Sequence, residues 1–252
     1  MEEAAVVDSP VVVVHLALGE KGMKNIDTFF DNKDRVLIRD AVSEAESHTS
    51  AEIVPVLTNC SGRYDRAEDL AGFFFAIVSL AFCWLNFQDV ITDGAWHSQQ
   101  APNLQLGLGI IILILVFGFI LGAFLANRIG WFRRLFCTKK EMKACLKEKA
   151  IQAFQMHRVG KTKEATGVVI FISLFEHMVY VLGDVEISKH LTDEDFVEVN
   201  DAIINGFRKN QCTNGLVEGI RLCGQKLKEH CPSQPGDENE LCNELKIWKQ
   251  YS

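Results

Sequence analysis

The chain is short of the residue spacings that mark a metal framework. Its eight cysteines are scattered, with no pair at C-x-x-C spacing. Cys212 and Cys223 stand too far apart for a compact knuckle, as do Cys231 and Cys242. They read as small buried hydrophobes in a reducing compartment. The seven histidines are equally dispersed, with no His-Glu-x-x-His. A basic tail is missing and the net charge is −7, so nucleic acid finds no electrostatic footprint here. There is no glycine-rich phosphate loop, no internal repeat and no low-complexity run.

The most telling absence is local. From Ala71 to Leu85 there is no charged residue, and the run continues to Val90 with only Asp89. Leu104 to Ala126 is uncharged throughout. Each stretch is about 20 residues, and at about 1.5 Å per residue it covers a hydrocarbon core of about 30 Å. Both are apolar on every face, whereas a buried core helix is amphipathic. The spacing predicts a transmembrane hairpin over 70–126, with helices at about 70–90 and 104–126. The loop Ile91 to Asn103 holds no Lys or Arg, while Arg63 and Arg66 precede the first helix and Arg128, Arg133, Arg134, Lys139 and Lys140 follow the second. That asymmetry predicts an inner (cytoplasmic) membrane protein with both termini cytoplasmic and the loop around Trp96 and His97 outside. The lipid bilayer is the first expected partner. Gly118 and Gly122, extended by Ala126, form a small-residue stripe. It packs the hairpin on itself or offers a face for self-association or a membrane-protein partner.

The flanking segments read as soluble. Residues 1–22 have a short apolar run, Val11 to Val14, without the basic lead of a signal peptide, and are expected to be disordered or an over-extended start before Met23. Val36, Leu37, Ala41, Val42 and Ala45 repeat at helical spacing, and Glu52 to Leu57 reads as a strand that Pro55 places at an edge or bulge. Beyond the hairpin, Thr138 and Glu141 form a capping-box pattern before a long helix to about Arg158. Thr166 to Leu174 is a β-branched strand, Phe175 to His177 a turn, and Met178 to Leu182 a second strand. Thr192 is the expected N-cap of a helix with Phe196, Val199, Ile203 and Phe207 inward. A last helix, 214–230, turns Leu216, Ile220, Cys223 and Leu227 inward and ends at Cys231-Pro232, with a further helix over Glu240 to Trp248. Neither flank buries a core alone. The fold class is therefore α+β: a small mixed sheet covered by helices, split between 23–69 and 127–232, with a tail over 233–252.

The run Ala45 to Val56 resembles the helix-to-strand junction of the TPM-domain family, in the bacterial branch where a two-helix hairpin follows the first strand. The likeness extends through Arg133-Arg134-Leu135-Phe136, Thr166 to Glu176, Val181-Leu182-Gly183-Asp184, Gly215-Leu216 and Asn239-Glu240-Leu241. It implies a compact α/β sandwich, in a family holding both described acid phosphatases and an auxiliary receptor subunit, so fold alone does not transfer a mechanism. Many members carry a Gly-rich stretch after the second strand of the β-hairpin. Here nothing follows Gly183 but Asp184-Val185-Glu186-Ile187.

A metal-assisted phosphatase needs converging oxygens around a hard cation such as calcium or magnesium. The candidates are Asp184 and Glu186 at the strand end and Asp193, with Glu194 and Asp195, at the next helix start. The competing reading makes them dipole-offsetting and solvated acids. His157, Arg158 and Lys161 can hold an anion or form a solvated helix end. Two functions follow. The first is a cytoplasm-facing, membrane-tethered binding or assembly module; the alternative is a metal-assisted acid phosphatase. A transporter or channel subunit ranks third, because neither span carries a central ionisable residue.

Overall fold

The computed structural model describes residues 12–13, 26–87, 108–192, 194–233 and 239–249. The chain separates into two compact units: Met1–Arg63 with Lys139–Ser252, and Tyr64–Thr138.

The first unit is built on a mixed sheet of five strands: β1 (Val12–Val13), β2 (Ile53–Thr58), β3 (Val168–Ser173), β4 (Met178–Gly183) and β5 (Lys246–Trp248). Their order is β1-β4-β3-β2-β5. β2 runs parallel to β3 in the register Ile53↔Val168, and β3 and β4 form an antiparallel hairpin with Ser173↔Met178 across the turn. Every residue of β2 and β3 is buried. Burial on both faces explains why these strands read as continuous apolar runs rather than alternating ones.

Alternation decides what each face meets. Ile53, Leu57, Val168, Ile170, Ile172, Val179 and Val181 join one core with α1 (Asn32–Glu46), α7 (Val197–Arg208) and α8 (Cys212–His230). Against the other face of β3 and β4 packs α5 (Lys139–Met156), whose Met142, Leu146, Ala150 and Ala153 are buried. Burying a Leu, Ile or Phe side chain stabilises by roughly 1.5–3 kcal/mol. The layering therefore rests on these stripes more than on helix propensity. The expected inward residues of α7 and α8 are all buried: Phe196, Val199, Ile203, Phe207, Leu216, Ile220, Cys223 and Leu227.

Four local expectations are corrected. In α1 the inward face is Ile38, Val42 and Ala45, while Val36 and Leu37 stand 44% and 53% exposed. β2 is an interior strand, yet Pro55 is tolerated there for an edge-like reason. β5 pairs only with Val56, Leu57 and Thr58, so the side of Pro55 that lacks an N–H faces no strand. The segment expected as a helix over Glu240 to Trp248 instead supplies β5, parallel to β2; the backbone groups on that side of β2 need partners, and Ile247 and Trp248 suit a strand. Thr192 caps no helix. It donates from N and Oγ1 to the Asp195 carboxylate, at 2.8 and 2.9 Å, and α7 begins only at Val197. Of residues 1–22, Val12–Val13 pairs antiparallel with β4; the rest lies outside the described residues.

The second unit is a helical hairpin, α2 (Asp65–Phe87) and α3 (Leu108–Arg128), followed by a short helix α4 (Gly130–Leu135). Gly118, Gly122 and Ala126 are the buried residues of α3. A Cβ on Gly118 would sit 2.9 Å from Ala76 Cα, and one on Gly122 would sit 2.6 Å from the Ala71 carbonyl oxygen. The small-residue stripe is thus taken up inside the hairpin by α2, where close backbone approach requires glycine. Ser79 Oγ donates to the Ala76 carbonyl at 3.0 Å, and Asn86 Nδ2 to that of Phe82 at 2.8 Å, so these polar side chains are satisfied by the helix itself.

Candidate functional site

The candidate acids meet different local demands. Asp184 ends β4 and is the N-cap of α6 (Val185–His190), a helix the sequence reading takes for a strand end. Its Oδ1 accepts from Val185 N at 2.7 Å. Its N–H donates to the Gly167 carbonyl at 2.8 Å, which fixes it against the start of β3. Asp184 is buried, and its Oδ2 has no hydrogen-bond partner among the described residues. That oxygen faces Gly160, where a Cβ would lie 3.4 Å away. Burial pushes the Asp184 carboxyl above the ordinary aspartate value, the Val185 N–H partly offsets this, and the charge of Glu186 adds to it.

Glu186 turns outward, one turn along, and pairs with Lys189 at 2.5 Å. Asp195 closes on Thr192, whose backbone N–H bond to it is the main reason its carboxyl sits below the usual range. Glu194 is exposed, and Asp193 lies outside the described residues. Among the described residues, no group of three or more His, Cys, Asp or Glu is placed to hold a metal ion. Near the end of α5, Arg158 and Lys161 are exposed, and burial together with Lys246 lowers the pKa of His157. A neutral imidazole adds no charge to an anion site.

Two buried acid sites escape the sequence reading. Glu176, in the β3–β4 turn, is fully buried. It accepts from Ser61 N at 2.7 Å and from the Ser173 hydroxyl. Phe175 N donates to the Asn59 carbonyl at 3.0 Å, so this turn clasps the chain leaving β2. That stretch also carries a Cys-x5-Arg spacing, Cys60 to Arg66, which sequence reading overlooks. In a thiol phosphatase such a loop keeps its amides open to an anion. Here the Ser61 amide is occupied by Glu176, the Cys60 thiol donates to the Gly62 carbonyl at 3.0 Å, and Arg66 is exposed.

The second is an acid pair at the α1–β2 junction. Glu46 Oε1 accepts from Ile53 N at 2.8 Å and Oε2 from Asn243 Nδ2 at 2.5 Å. Glu52 Oε1 accepts from Glu240 N at 2.9 Å and Oε2 from Leu241 N at 3.3 Å. Two side-chain carboxyl groups thereby hold the segment that leads into β5. Burial, reinforced by the neighbouring Glu52 charge, pushes the Glu46 carboxyl up to about 8, against the Ile53 and Asn243 hydrogen bonds. The only sequence signal is an acid directly abutting a wholly apolar strand.

Comparison with known proteins agrees with this frame. A family model described as the TPM domain matches residues 136–226. The NMR structure of the BA42 protein from the psychrophilic bacterium Bizionia argentinensis aligns with a TM-score of 0.52 at 17% identity, covering 89% of this chain and 99% of that one. No curated protein matches the chain. The chain resembles the TPM-domain family, by the domain model over residues 136–226. At 17% identity the BA42 likeness shows shared fold alone.

Proposed function

We propose that this protein is a membrane-tethered TPM-like domain that acts as a binding or assembly module on the cytoplasmic face. The observation that carries the tether is the outer surface of α2 and α3. Phe73, Ile77, Phe82, Leu85, Leu113 and Phe117 are each at least 61% exposed. The most apolar windows of the two helices are only 17% and 11% buried, the reverse of a core helix. Contiguous apolar surface of this extent needs a cover, and helices of 22 and 21 residues have the length to find it in a bilayer.

The module half is supported by how the acids are used. Asp184 caps α6, Glu186 forms a surface pair, and Asp195 closes a turn. Alkaline washing of membranes tests the tether: the full-length chain remains in the pellet, and release into the supernatant removes it. A stoichiometric companion in mild detergent supports the module, and a lone monomer at native expression counts against it. Labelling of Trp96→Cys by an impermeant maleimide, in a cysteine-free background, tests the orientation, with reaction expected only from outside.

One observation favours a phosphatase as the second reading: the buried Asp184 Oδ2, which has no hydrogen-bond partner among the described residues. Phosphate release from an aryl phosphate, with and without magnesium or calcium, is its test. Equal turnover in wild type and Asp184→Ala removes it.

A further inference from the structure

The membrane end of α3 is not a simple exit. α3 stops at Arg128, Ile129 takes an extended conformation (φ −116°, ψ 99°), and the six residues of α4 turn off from it. Two aromatic rings fasten this elbow to α2. Phe132 lies 5.7 Å from Phe75, edge to face, and Phe136 lies 6.0 Å from Phe74. Arg133 and Glu68 add an ion pair at 3.3 Å that is partly shielded from solvent. With Phe132, and Phe136 just past its end, turned to α2, α4 leaves its other large apolar residues uncovered. Trp131 is 59% exposed and Leu135 is 68% exposed, and their four-residue spacing puts them on one face. Arg128, in the last turn of α3, and Arg66, in the first turn of α2, are both exposed at this same end of the antiparallel hairpin.

We infer that α4 is an interfacial helix: its Trp131–Leu135 face lies in the headgroup layer of a phospholipid bilayer and sets the depth at which the hairpin stops. The inference rests on the tether reading above. Three observations select lipid as the occupant. α4 packs against both α2 and α3, whose neighbouring turns also expose apolar residues, Leu70 and Phe74 on α2 and Phe124 on α3. Trp, with a broad apolar body and one N–H donor, favours the boundary where one end is dry and the other wet. Guanidinium groups at the same level match the lipid phosphates, to which Arg can bond in bidentate fashion. A helix of six residues, about 9 Å long, is too short to span and is suited to lying along the boundary.

Fluorescence of full-length protein in phosphatidylcholine vesicles tests this, using acyl chains brominated near the headgroup or near the chain end. One protein keeps Trp131 alone, with Trp84, Trp96 and Trp248 changed to Phe. A second carries Phe117→Trp as its only tryptophan. The expected result is quenching of Trp131 about twofold stronger with the shallow label than with the deep one, and the opposite order at position 117. Quenching at 117 with none at 131 overturns the interfacial helix while leaving the tether intact. Equal or deeper quenching at 131 overturns it too, by burying α4 in the hydrocarbon. Silence at both positions overturns the tether and the inference together.

Discussion

Among the described residues, two antiparallel helix pairs share one packing device and differ in what they present outward. In α2–α3, Gly122 lets the backbones meet at Ala71 and Gly72; in α7–α8, a Cβ on Gly215 would lie 2.6 Å from Gly206 Cα. The contact seams are alike, and the outer faces differ. α8 turns Glu218 and Arg221 outward as an ion pair at 2.7 Å, and buries Leu216, Ile220, Cys223 and Leu227 in the core it shares with α1 and α7. α3 has no charged residue from Leu108 to Asn127 and presents Ile112, Leu113, Val116 and Phe117 outward, each more than half exposed. Close packing alone therefore says nothing of environment. The outer face does, because only there does the surrounding medium bear on each side chain.

The largest expected effect breaks the symmetry between the pairs. Phe207, buried in α7 and stacked on Phe29 at 6.0 Å, should lose about 3–5 kcal/mol on Phe207→Ala. Thermal unfolding of the full-length protein in detergent would then shift down by on the order of 10 °C. Phe117→Ala, at a position 65% exposed, should leave that transition in place. A comparable shift from Phe117→Ala would mean that its ring is covered by protein.

Next comes the medium itself. Ile77→Arg places a guanidinium on a 65% exposed position of α2, the less apolar of the two spans, and should cost about 3 kcal/mol of insertion. The fraction resistant to alkaline washing should fall several-fold. Asp201→Arg, on the exposed face of α7, should change neither membrane fraction nor unfolding temperature appreciably.

How much of this is legible in the sequence depends on whether a signal is periodic. The two long apolar helices, the inward stripes of α7 and α8, and the strands at Ile53, Val168 and Met178 are legible, because each repeats a physical demand several times. Single-residue roles are not. Asp184 reads as a strand-end acid because the six-residue helix that it caps has no apolar period to announce it. Val36 and Leu37 fit a helical repeat as well as Ile38 does, and only the packing of α1 on α8 decides between them. β5 reads as helix because three residues carry no period at all. Glu46, Glu52 and Glu176 are separated from their partners by long stretches of chain or by a turn, and beyond the apolar strand that Glu52 abuts, nothing local marks such an acid.

A smaller effect tests the shared device. Gly215→Ala in α8 should cost about 1–3 kcal/mol, since the nearest atoms belong to backbone and do not yield easily. Gly122→Ala should loosen α2–α3 without moving the unfolding transition of the first unit. Disulfide trapping between Ser79→Cys and Ile114→Cys, whose native Oγ and carbonyl oxygen are 3.5 Å apart, reports on the hairpin, and trapping efficiency should drop. If Gly122→Ala lowers the transition of the first unit instead, the two seams are not energetically separate.

The smallest effect concerns charge. Between Leu70 and Phe87 and between Leu108 and Asn127 there is no Asp, Glu, Lys, Arg or His, so the apolar part of the hairpin has little to titrate, whereas the first unit holds the Glu46–Glu52 pair. Glu46 has a folded pKa of about 8, above its ordinary 4.5. A raised carboxyl binds its proton more tightly when folded. Its contribution to stability is therefore complete below about pH 4.5 and is lost as pH rises through about 8. For a half-buried group, discounted for solvent, the loss between those limits is about 1–2 kcal/mol. Glu46→Gln keeps an oxygen for the Ile53 N–H and removes the titration. Denaturant midpoints measured from acid to mildly alkaline pH should fall for the wild type relative to Glu46→Gln across that window. Parallel curves would show that the Glu46 carboxyl is ionised in the folded protein at neutral pH, and that the clamp on the segment entering β5 is a charged one.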